Sequence, residues 1–206
     1  MLISIHPDNP DPRGIAQVVK CLRDGGIVVY PTDTVYGIGC DIHNQQAMER
    51  ILRFKDVNIR KTNLSIICSS ISQASDYLKP IPNDIFKVMK RNLPGAFTFI
   101  LPAGNNIPKL FRSSKKTVGI RVPDNNIIRA IAEELGGPIL STSVKIDDDE
   151  VPWDEYQTDP SLIEENLSYI ADIVIDGGIG GTEGSTVVDC TDGDCEIVRQ
   201  GKAELL

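Results

Sequence analysis

Hydrophobic and polar residues alternate along this chain in a pattern that predicts strands followed by helices. Apolar residues at 15, 18, 19 and 22 recur at helical spacing after Asp11-Pro12, an N-cap residue followed by a proline suited to the first turn. Gly25-Gly26 ends that helix. The short apolar run Ile27–Tyr30 then predicts a buried strand that stops at Pro31, because proline cannot continue a central strand.

The same pattern continues to the end of the chain. It predicts further helices over residues 44–54, 70–78, 83–93, 126–135 and 161–167. It predicts further strands over residues 3–5, 64–68, 97–101, 117–121, 138–143, 173–175, 186–189 and 196–199. The acidic stretch 147–160, with Pro152 and Trp153, is expected to be a surface loop, and the glycine-rich stretch 177–181 a flexible one. Strands that alternate with helices indicate an α/β protein. The last strands have no helices between them, which favours a mixed sheet.

Length and composition narrow the class of protein. The 206 residues fit a single domain over 1–206, and no apolar run approaches the roughly 20 residues that span a bilayer. The N-terminus lacks the basic and apolar regions of a signal peptide, so we expect a cytoplasmic protein without membrane contact. The five cysteines are irregularly spaced, and the two histidines lie near no cysteine pair. We therefore expect reduced structural thiols and no metal site.

The charge is unevenly distributed. The net charge is −8, yet residues 50–121 hold 14 lysines and arginines against three acidic residues, a local net of +11 that leaves −19 elsewhere. Such an asymmetry is typical of one positive face that attracts a polyanion. The alternative, lysines scattered over solvated helix faces, stays open at this point.

Hydroxyl-bearing loops follow three of the predicted strands. They begin at Thr32, Ser141 and Ser185, and ligands of α/β sheets bind beyond strand ends where such groups converge. Arg121 adds a bidentate fork for a phosphate or carboxylate. Glycines at 37, 39 and 184 are expected to let the backbone approach a ligand. For any one of these hydroxyls, a turn or cap role is the alternative.

Five motifs together resemble the YrdC/YciO family. In the family's order they are Pro31-Thr-Asp-Thr-Val-Tyr-Gly-Ile-Gly39, Pro94-Gly-Ala-Phe-Thr98, Gly119-Ile-Arg-Val-Pro123, Ser185-Thr-Val-Val-Asp189 and Arg199-Gln-Gly201. The resemblance spans nearly the whole chain. It implies a YrdC-like twisted mixed sheet flanked by helices, with a concave basic surface.

The resemblance also implies ligands and site residues. Family members bind double-stranded RNA or ATP, and one branch makes threonylcarbamoyl-AMP from threonine, bicarbonate and ATP for modification of tRNA. ATP would then be a substrate, accompanied by Mg²⁺ if the protein is catalytic. By this resemblance the substrate-binding residues are Thr32, Tyr36, Arg121, Thr142 and Ser185. The nucleotide-binding residues are Lys55, Arg60, Thr117, Ser143 and Arg199, with Lys55 also the catalytic residue.

Departures from the synthase branch leave the function open. Val57 stands where that branch has an arginine, Val144 where it has an asparagine, and Cys68 where a histidine is usual. Loss of polar groups that hold phosphate charge can slow a reaction by roughly 10² to 10³ each. Arg60 or Lys61 is a candidate substitute from the same loop, and the pattern resembles the YciO branch more than the YrdC branch. Three hypotheses remain: a protein that binds double-stranded RNA or a nucleotide and has weakened synthase activity, a non-catalytic RNA-binding or translation-factor-like module, and a partner-binding regulatory protein.

Overall fold

The strands of this protein join in one sheet. The structure is a computed structural model that describes residues 1–55, 64–108, 116–144 and 155–206. The strands are β1 (Leu2–Ser4), β2 (Val28–Tyr30), β3 (Gly37–Asp41), β4 (Ser65–Ile67), β5 (Phe97–Pro102), β6 (Thr117–Arg121), β7 (Ile139–Ser143), β8 (Ile173–Asp176), β9 (Thr186–Asp189) and β10 (Glu196–Arg199). Their order across the sheet is β1-β8-β2-β3-β7-β4-β6-β5-β9-β10.

The sheet is mixed, as the sequence predicts. Neighbouring strands β1–β8, β2–β8, β4–β6 and β5–β9 are parallel. Strands β2–β3, β3–β7, β4–β7, β5–β6 and β9–β10 are antiparallel. The prediction missed β3, because Gly37-Ile-Gly39 was assigned to a ligand loop.

Helices begin where the sequence places polar caps. The helices are α1 (Pro12–Arg23), α2 (Gln45–Phe54), α3 (Ile71–Ser75), α4 (Asn83–Asn92), α5 (Asn126–Leu135), α6 (Glu155–Thr158) and α7 (Pro160–Leu167). The Asp11 carboxylate accepts from the Gly14 N–H at 2.7 Å, and Asn44 and Asn125 cap α2 and α5 in the same way. Helix α6 corrects the prediction of a loop over 147–160, of which residues 147–154 lie outside the described residues. Within the described ranges, no helix has both the length and the hydropathy that crossing a membrane requires.

Two apolar layers sandwich the sheet. Helices α1 and α5 bury Val18, Val19 and Ile131 against strand residues such as Val28 and Ile175 on one face. Helices α2, α4 and α7 bury Met48, Met89 and Ile163 with Val29, Ile38 and Ile120 on the other. Because side chains alternate along a strand, Val28 and Tyr30 face the first layer while Val29 faces the second. The short apolar runs in the sequence are therefore strands buried on both faces.

The cysteines differ from expectation at one point. Cys190 and Cys195 form a disulfide, whereas Cys21, Cys40 and Cys68 are thiols. The physical reason is the β9–β10 hairpin, in which Asp189 lies opposite Glu196 and the two cysteines come next at its end. The spacing of five residues gave no sign of this pairing, since the hairpin creates it.

The glycines of β3 serve the core and not a ligand. The Tyr30 ring covers them, so that a Cβ at Gly37 would lie 2.6 Å from Tyr30 Cε2, and one at Gly39 would lie 2.8 Å from the Tyr30 hydroxyl. A Cβ at Gly39 would also strike the Leu140 carbonyl oxygen of β7. This corrects the expectation that Gly37 and Gly39 admit a ligand, because a buried tyrosine already fills that space.

The Gly39→Ala variant is expected to lower the free energy of unfolding by about 1–3 kcal/mol, the usual range for overpacking a close-packed core. Chemical denaturation monitored by circular dichroism measures it. Gly184→Ala is the matched control, because a Cβ there meets only Arg199 Nη2 at 3.5 Å. Equal stability of the two variants would contradict the close approach of β3, β7 and Tyr30.

Candidate functional site

The loop after β2 is organised by its own hydroxyl groups. Thr32 Oγ1 donates to the Val35 carbonyl oxygen at 2.7 Å and accepts from the Thr34 N–H at 3.0 Å. The Thr34 hydroxyl lies 3.0 Å from Thr32 Oγ1. These contacts form a hydroxyl-centred turn that fixes both threonines beside the end of β6. The predicted substrate residue Thr32 is thus held in place before any ligand arrives.

A buried ion pair joins this loop to β6. Arg121 Nη2 donates to Thr34 Oγ1 at 2.9 Å and to Asp33 Oδ1 at 3.2 Å. The two charged side chains are only 9% and 12% exposed, so each depends on the other for compensation of its lost hydration. Asp33 Oδ2 also accepts from the Asp124 N–H at 2.9 Å, so both oxygens of the carboxylate are held by hydrogen bonds.

Burial acts on the protonation of Arg121. It lowers the pKa of the guanidinium, while the Asp33 carboxylate opposes that fall. Arginine remains cationic at any ordinary pH in spite of such a shift. Arg121 therefore stays cationic with Asp33 compensating its charge, and its Nε has no hydrogen-bond partner among the described residues.

A second wall is formed by β9, β10 and β5. Thr98 Oγ1 lies 2.8 Å from Ser185 Oγ, and Arg199 Nη2 donates to the Ser185 carbonyl oxygen at 3.0 Å. The charge on Arg199 is close enough to Arg121 to lower the pKa of Arg121. Lys202 donates to the carbonyl oxygens of both Asp33 and Gly184, so the structure brings Thr32, Arg121, Ser185 and Arg199 into one neighbourhood.

A β-bulge in β10 orients Arg199. Ile197 lies opposite Val188, but Arg199 lies opposite Val187, so Val198 is an extra residue in the strand. Val187 is also the partner of Thr98 in β5. Since directly opposed residues share a face of the sheet, the bulge places Arg199 on the face of Thr98. If Val198 paired with Val187 instead, Arg199 would lie opposite Thr186 and on the other face.

Small residues lie between the two walls. Ser65 of β4 lies opposite Ser141 of β7 and Gly119 of β6, two residues from Arg121 along β6. A Cβ at Gly119 would lie 3.1 Å from Thr98 Cγ2 and 3.3 Å from Ser65 Cβ. We call the side of the sheet that carries these residues the Arg121 face. By strand alternation it also carries the predicted nucleotide residues Thr117 and Ser143.

Other predicted site residues are placed differently. Thr142 lies opposite Ile38, so it is on the face of the second apolar layer and not on the Arg121 face. The Tyr36 hydroxyl is buried, where it donates to the Gly178 carbonyl oxygen at 2.7 Å and accepts from the Gly177 N–H. Lys55 ends α2 with its side chain buried. Arg60 lies outside the described residues, as do Lys61 and Val57. The roles assigned to these residues stay predictions.

Two departures from the synthase pattern are buried in the core. Val144 packs among the residues of the second apolar layer, and its N–H donates to the Tyr36 carbonyl oxygen at 3.1 Å. Cys68 is fully buried in the same layer, and burial raises the pKa of its thiol to about 12. Both side chains are therefore parts of the fold and not donors in the site.

The sequence prediction missed several contributors to the site. Asp33 and Thr34 lie inside the motif at residues 31–39, and Thr98 ends the motif at residues 94–98. The resemblance to the family therefore pointed to these residues, although no role was assigned to them. Lys202 had no such signal. Its Nζ donates to the Asp33 carbonyl oxygen at 2.6 Å, a contact between residues 169 positions apart.

The arrangement is suited to an anionic ligand with additional polar groups. Two guanidinium groups and several hydroxyls surround a sheet face of small residues. A guanidinium binds a carboxylate or phosphate, and hydroxyls bind the ligand's remaining oxygens. Among the described residues there is no group of three or more side chains suited to a metal ion.

Comparison with known proteins agrees with this architecture. The family model Sua5_yciO_yrdC, described as "Telomere recombination", matches residues 20–201. YciO of Escherichia coli is 40% identical over 203 residues, which cover 98% of this chain and 95% of YciO. The threonylcarbamoyl-AMP synthase of Pseudoalteromonas translucida is 31% identical over 185 residues, 89% of this chain and 96% of that enzyme.

Solved structures extend the comparison to three dimensions. The crystal structure of E. coli YciO has a TM-score of 0.90 at 38% identity, covering 99% of this chain and 97% of that one. The crystal structure of P. abyssi Sua5 complexed with L-threonine has a TM-score of 0.86 at 28% identity. That match covers 98% of this chain and 57% of the Sua5 chain. The sequence match, the mixed sheet and the five motifs show that this chain belongs to the Sua5/YciO/YrdC family.

Proposed function

We propose that this protein binds L-threonine on the Arg121 face, with a nucleotide beside it, and carries a slow threonylcarbamoyl-AMP synthase activity. The observation that carries the proposal is the buried Arg121 guanidinium, held by Asp33 and Thr34 between Thr32 and the Ser185–Arg199 wall. The family includes threonylcarbamoyl-AMP synthases, and P. abyssi Sua5 is solved with L-threonine.

Each group in the site has a role in this proposal. Arg121 binds the carboxylate of threonine, while the hydroxyls of Thr32 and Ser185 contact its polar atoms. Arg199 and Thr117 approach the phosphate and ribose oxygens of ATP, which is bound with Mg²⁺. Bicarbonate supplies the carbon that joins the threonine nitrogen to form a carbamate, with loss of water. A carbamate oxygen then attacks the α-phosphorus, and pyrophosphate leaves.

In this proposal the activity is slow because buried residues replace polar residues of the synthase pattern. The Val144 side chain is apolar and packs in the core, so it offers no hydrogen-bond donor to a ligand. A missing contact to developing charge costs roughly 10² to 10³ in rate while it leaves ground-state binding nearly intact. We therefore propose tight binding of the substrates with turnover well below that of a synthase of the YrdC branch.

Binding of L-threonine by calorimetry tests the proposal. The wild-type protein should bind, and Arg121→Lys should bind at least about tenfold more weakly, because a lysine cannot reproduce a forked contact with a carboxylate. Arg53→Lys is the matched control, since Arg53 forms an exposed ion pair with Glu49 on α2. With ATP and bicarbonate added, pyrophosphate should form above background. Failure of the wild-type protein to bind threonine would reject the proposal.

The Asp33→Asn variant tests the support of Arg121. It leaves a buried cation without its carboxylate, and such a loss costs about 3–5 kcal/mol of folding stability. The double variant Asp33→Asn with Arg121→Met should recover part of that loss, because it removes the uncompensated charge. Thermal and chemical denaturation measure both. A change below about 0.5 kcal/mol, the usual range for an exposed ion pair, would show that the Asp33–Arg121 pair is not buried in solution.

Binding of double-stranded RNA is a second candidate function, favoured by the net charge of +11 over residues 50–121. Four of these cations pair with carboxylates in the described residues, namely Arg50, Arg53, Lys87 and Arg121. RNA phosphates would therefore meet the other basic residues of the segment, such as Lys90 and Arg91 at the end of α4.

Filter binding at several salt concentrations tests the RNA proposal. Affinity should fall steeply as salt rises. For each phosphate contacted, log Kd should rise by roughly 0.9 per tenfold increase in salt concentration. The double variant Lys90→Glu with Arg91→Glu should weaken binding, whereas Lys20→Glu on α1 should not. An absence of binding at low salt would exclude this function.

A further inference from the structure

One lysine after β10 connects the two walls of the site. Lys202 Nζ donates to the carbonyl oxygen of Asp33 at 2.6 Å, and the Lys202 N–H donates to the carbonyl oxygen of Gly184 at 2.9 Å. Asp33 is the residue after Thr32, and Gly184 is the residue before Ser185. A single residue therefore contacts both stretches that carry the proposed threonine contacts.

The backbone around Lys202 is fixed without its side chain. The Gly201 N–H donates to Thr186 Oγ1 at 3.0 Å, and Thr186 Oγ1 donates to the Ala203 carbonyl oxygen. Gly201 approaches the backbone of Gly184 and Ser185 so closely that a Cβ there would strike both. The Lys202 side chain thus extends from a firmly held Cα to Asp33. Its removal would leave these backbone contacts in place.

The charge of Lys202 also affects the site. Its ammonium group binds the main chain of the same residue whose carboxylate holds Arg121. A charge-assisted hydrogen bond is stronger than a neutral one, so it restrains the Asp33 main chain more firmly than a neutral donor would. Lys202 lies one residue beyond the stretch that the family model matches.

We propose that Lys202 is a positioning residue that holds the Thr32–Asp33 wall at a fixed spacing from the Ser185 wall. This rests on the proposed binding of threonine between those walls. With Lys202 in place, Asp33 presents Arg121 at the distance from Ser185 that the ligand's carboxylate and hydroxyl require. Without it, the loop after β2 loses a restraint, and the ligand must supply the ordering on binding.

Three variants of the full chain separate this role from a general loss of charge. Lys202→Met removes the ammonium group but keeps a long side chain, and Lys202→Arg keeps a cationic donor. Lys20→Met is the control, because Lys20 is an exposed lysine paired with Asp24 on α1. Two quantities are measured: the Kd for L-threonine, and amide hydrogen exchange of residues 31–36 in the absence of ligand.

Lys202→Met should weaken threonine binding about threefold to tenfold, the range for one exposed charge-assisted hydrogen bond. It should also speed exchange of residues 31–36, where the Thr34 N–H is bonded to Thr32 Oγ1, and leave exchange in α1 unchanged. In Lys202→Arg, the Kd for L-threonine and the exchange of residues 31–36 should both stay close to those of the wild-type protein. Lys20→Met should behave like the wild-type protein.

Two results would overturn this inference. Unchanged exchange of residues 31–36 in Lys202→Met shows that Lys202 does not hold the loop, whatever the threonine result. Faster exchange with an unchanged Kd shows that the spacing of the walls does not matter to the ligand. If the wild-type protein binds no threonine, the proposed function fails, and the positioning role toward that ligand falls with it. In that case the exchange rates still report whether Lys202 joins the walls.

Discussion

The ion pair between Asp33 and Arg121 is the contact on which the site depends. Two charged side chains lie almost out of water, and neither is tolerable there without the other. The pair joins the loop after β2 to the end of β6, two strands that are not neighbours in the sheet. Because Thr34 and the Asp124 main chain complete the same network, the orientation of the guanidinium is set by the fold. A site built this way is preorganised, and a ligand need not order it.

Most of the fold followed from local patterns because those patterns express simple physics. Helix α5 begins after Asn125 and ends at Gly136, where a positive φ suits glycine, and both boundaries were predicted. Strand β3 was missed because two of its residues are glycines, which have low strand propensity. Only the fold shows that Tyr30 packs over them. The disulfide was missed for a related reason, since the hairpin that pairs its cysteines is a tertiary feature.

The candidate site divides in the same way. Residues inside quoted motifs, such as Thr32, Arg121 and Ser185, do gather on one side of the sheet. Thr142 does not, because its neighbours Ser141 and Ser143 take the Arg121 face and alternation leaves it on the other. Lys202 was not predictable, as its partner lies 169 residues away and a surface lysine near a terminus carries no pattern. Strand register determines the position of Thr142 and a long-range contact that of Lys202, and neither can be predicted from local sequence patterns.

The bulge at Val198 determines which face of the sheet carries the charge of Arg199. A substitution at 198 would leave the backbone count intact, so Arg199 would still emerge on the side of Thr98. Removal of Val198 would leave Arg199 directly after Ile197 and still opposite Val187, so the guanidinium would keep its face. Regular pairing of the unchanged sequence would put Val198 opposite Val187 and Arg199 opposite Thr186, on the other face, so the site would lose a cation although every charged residue was retained. A change in the register of β10 against β9 therefore alters the charge of the site more than most substitutions in that strand.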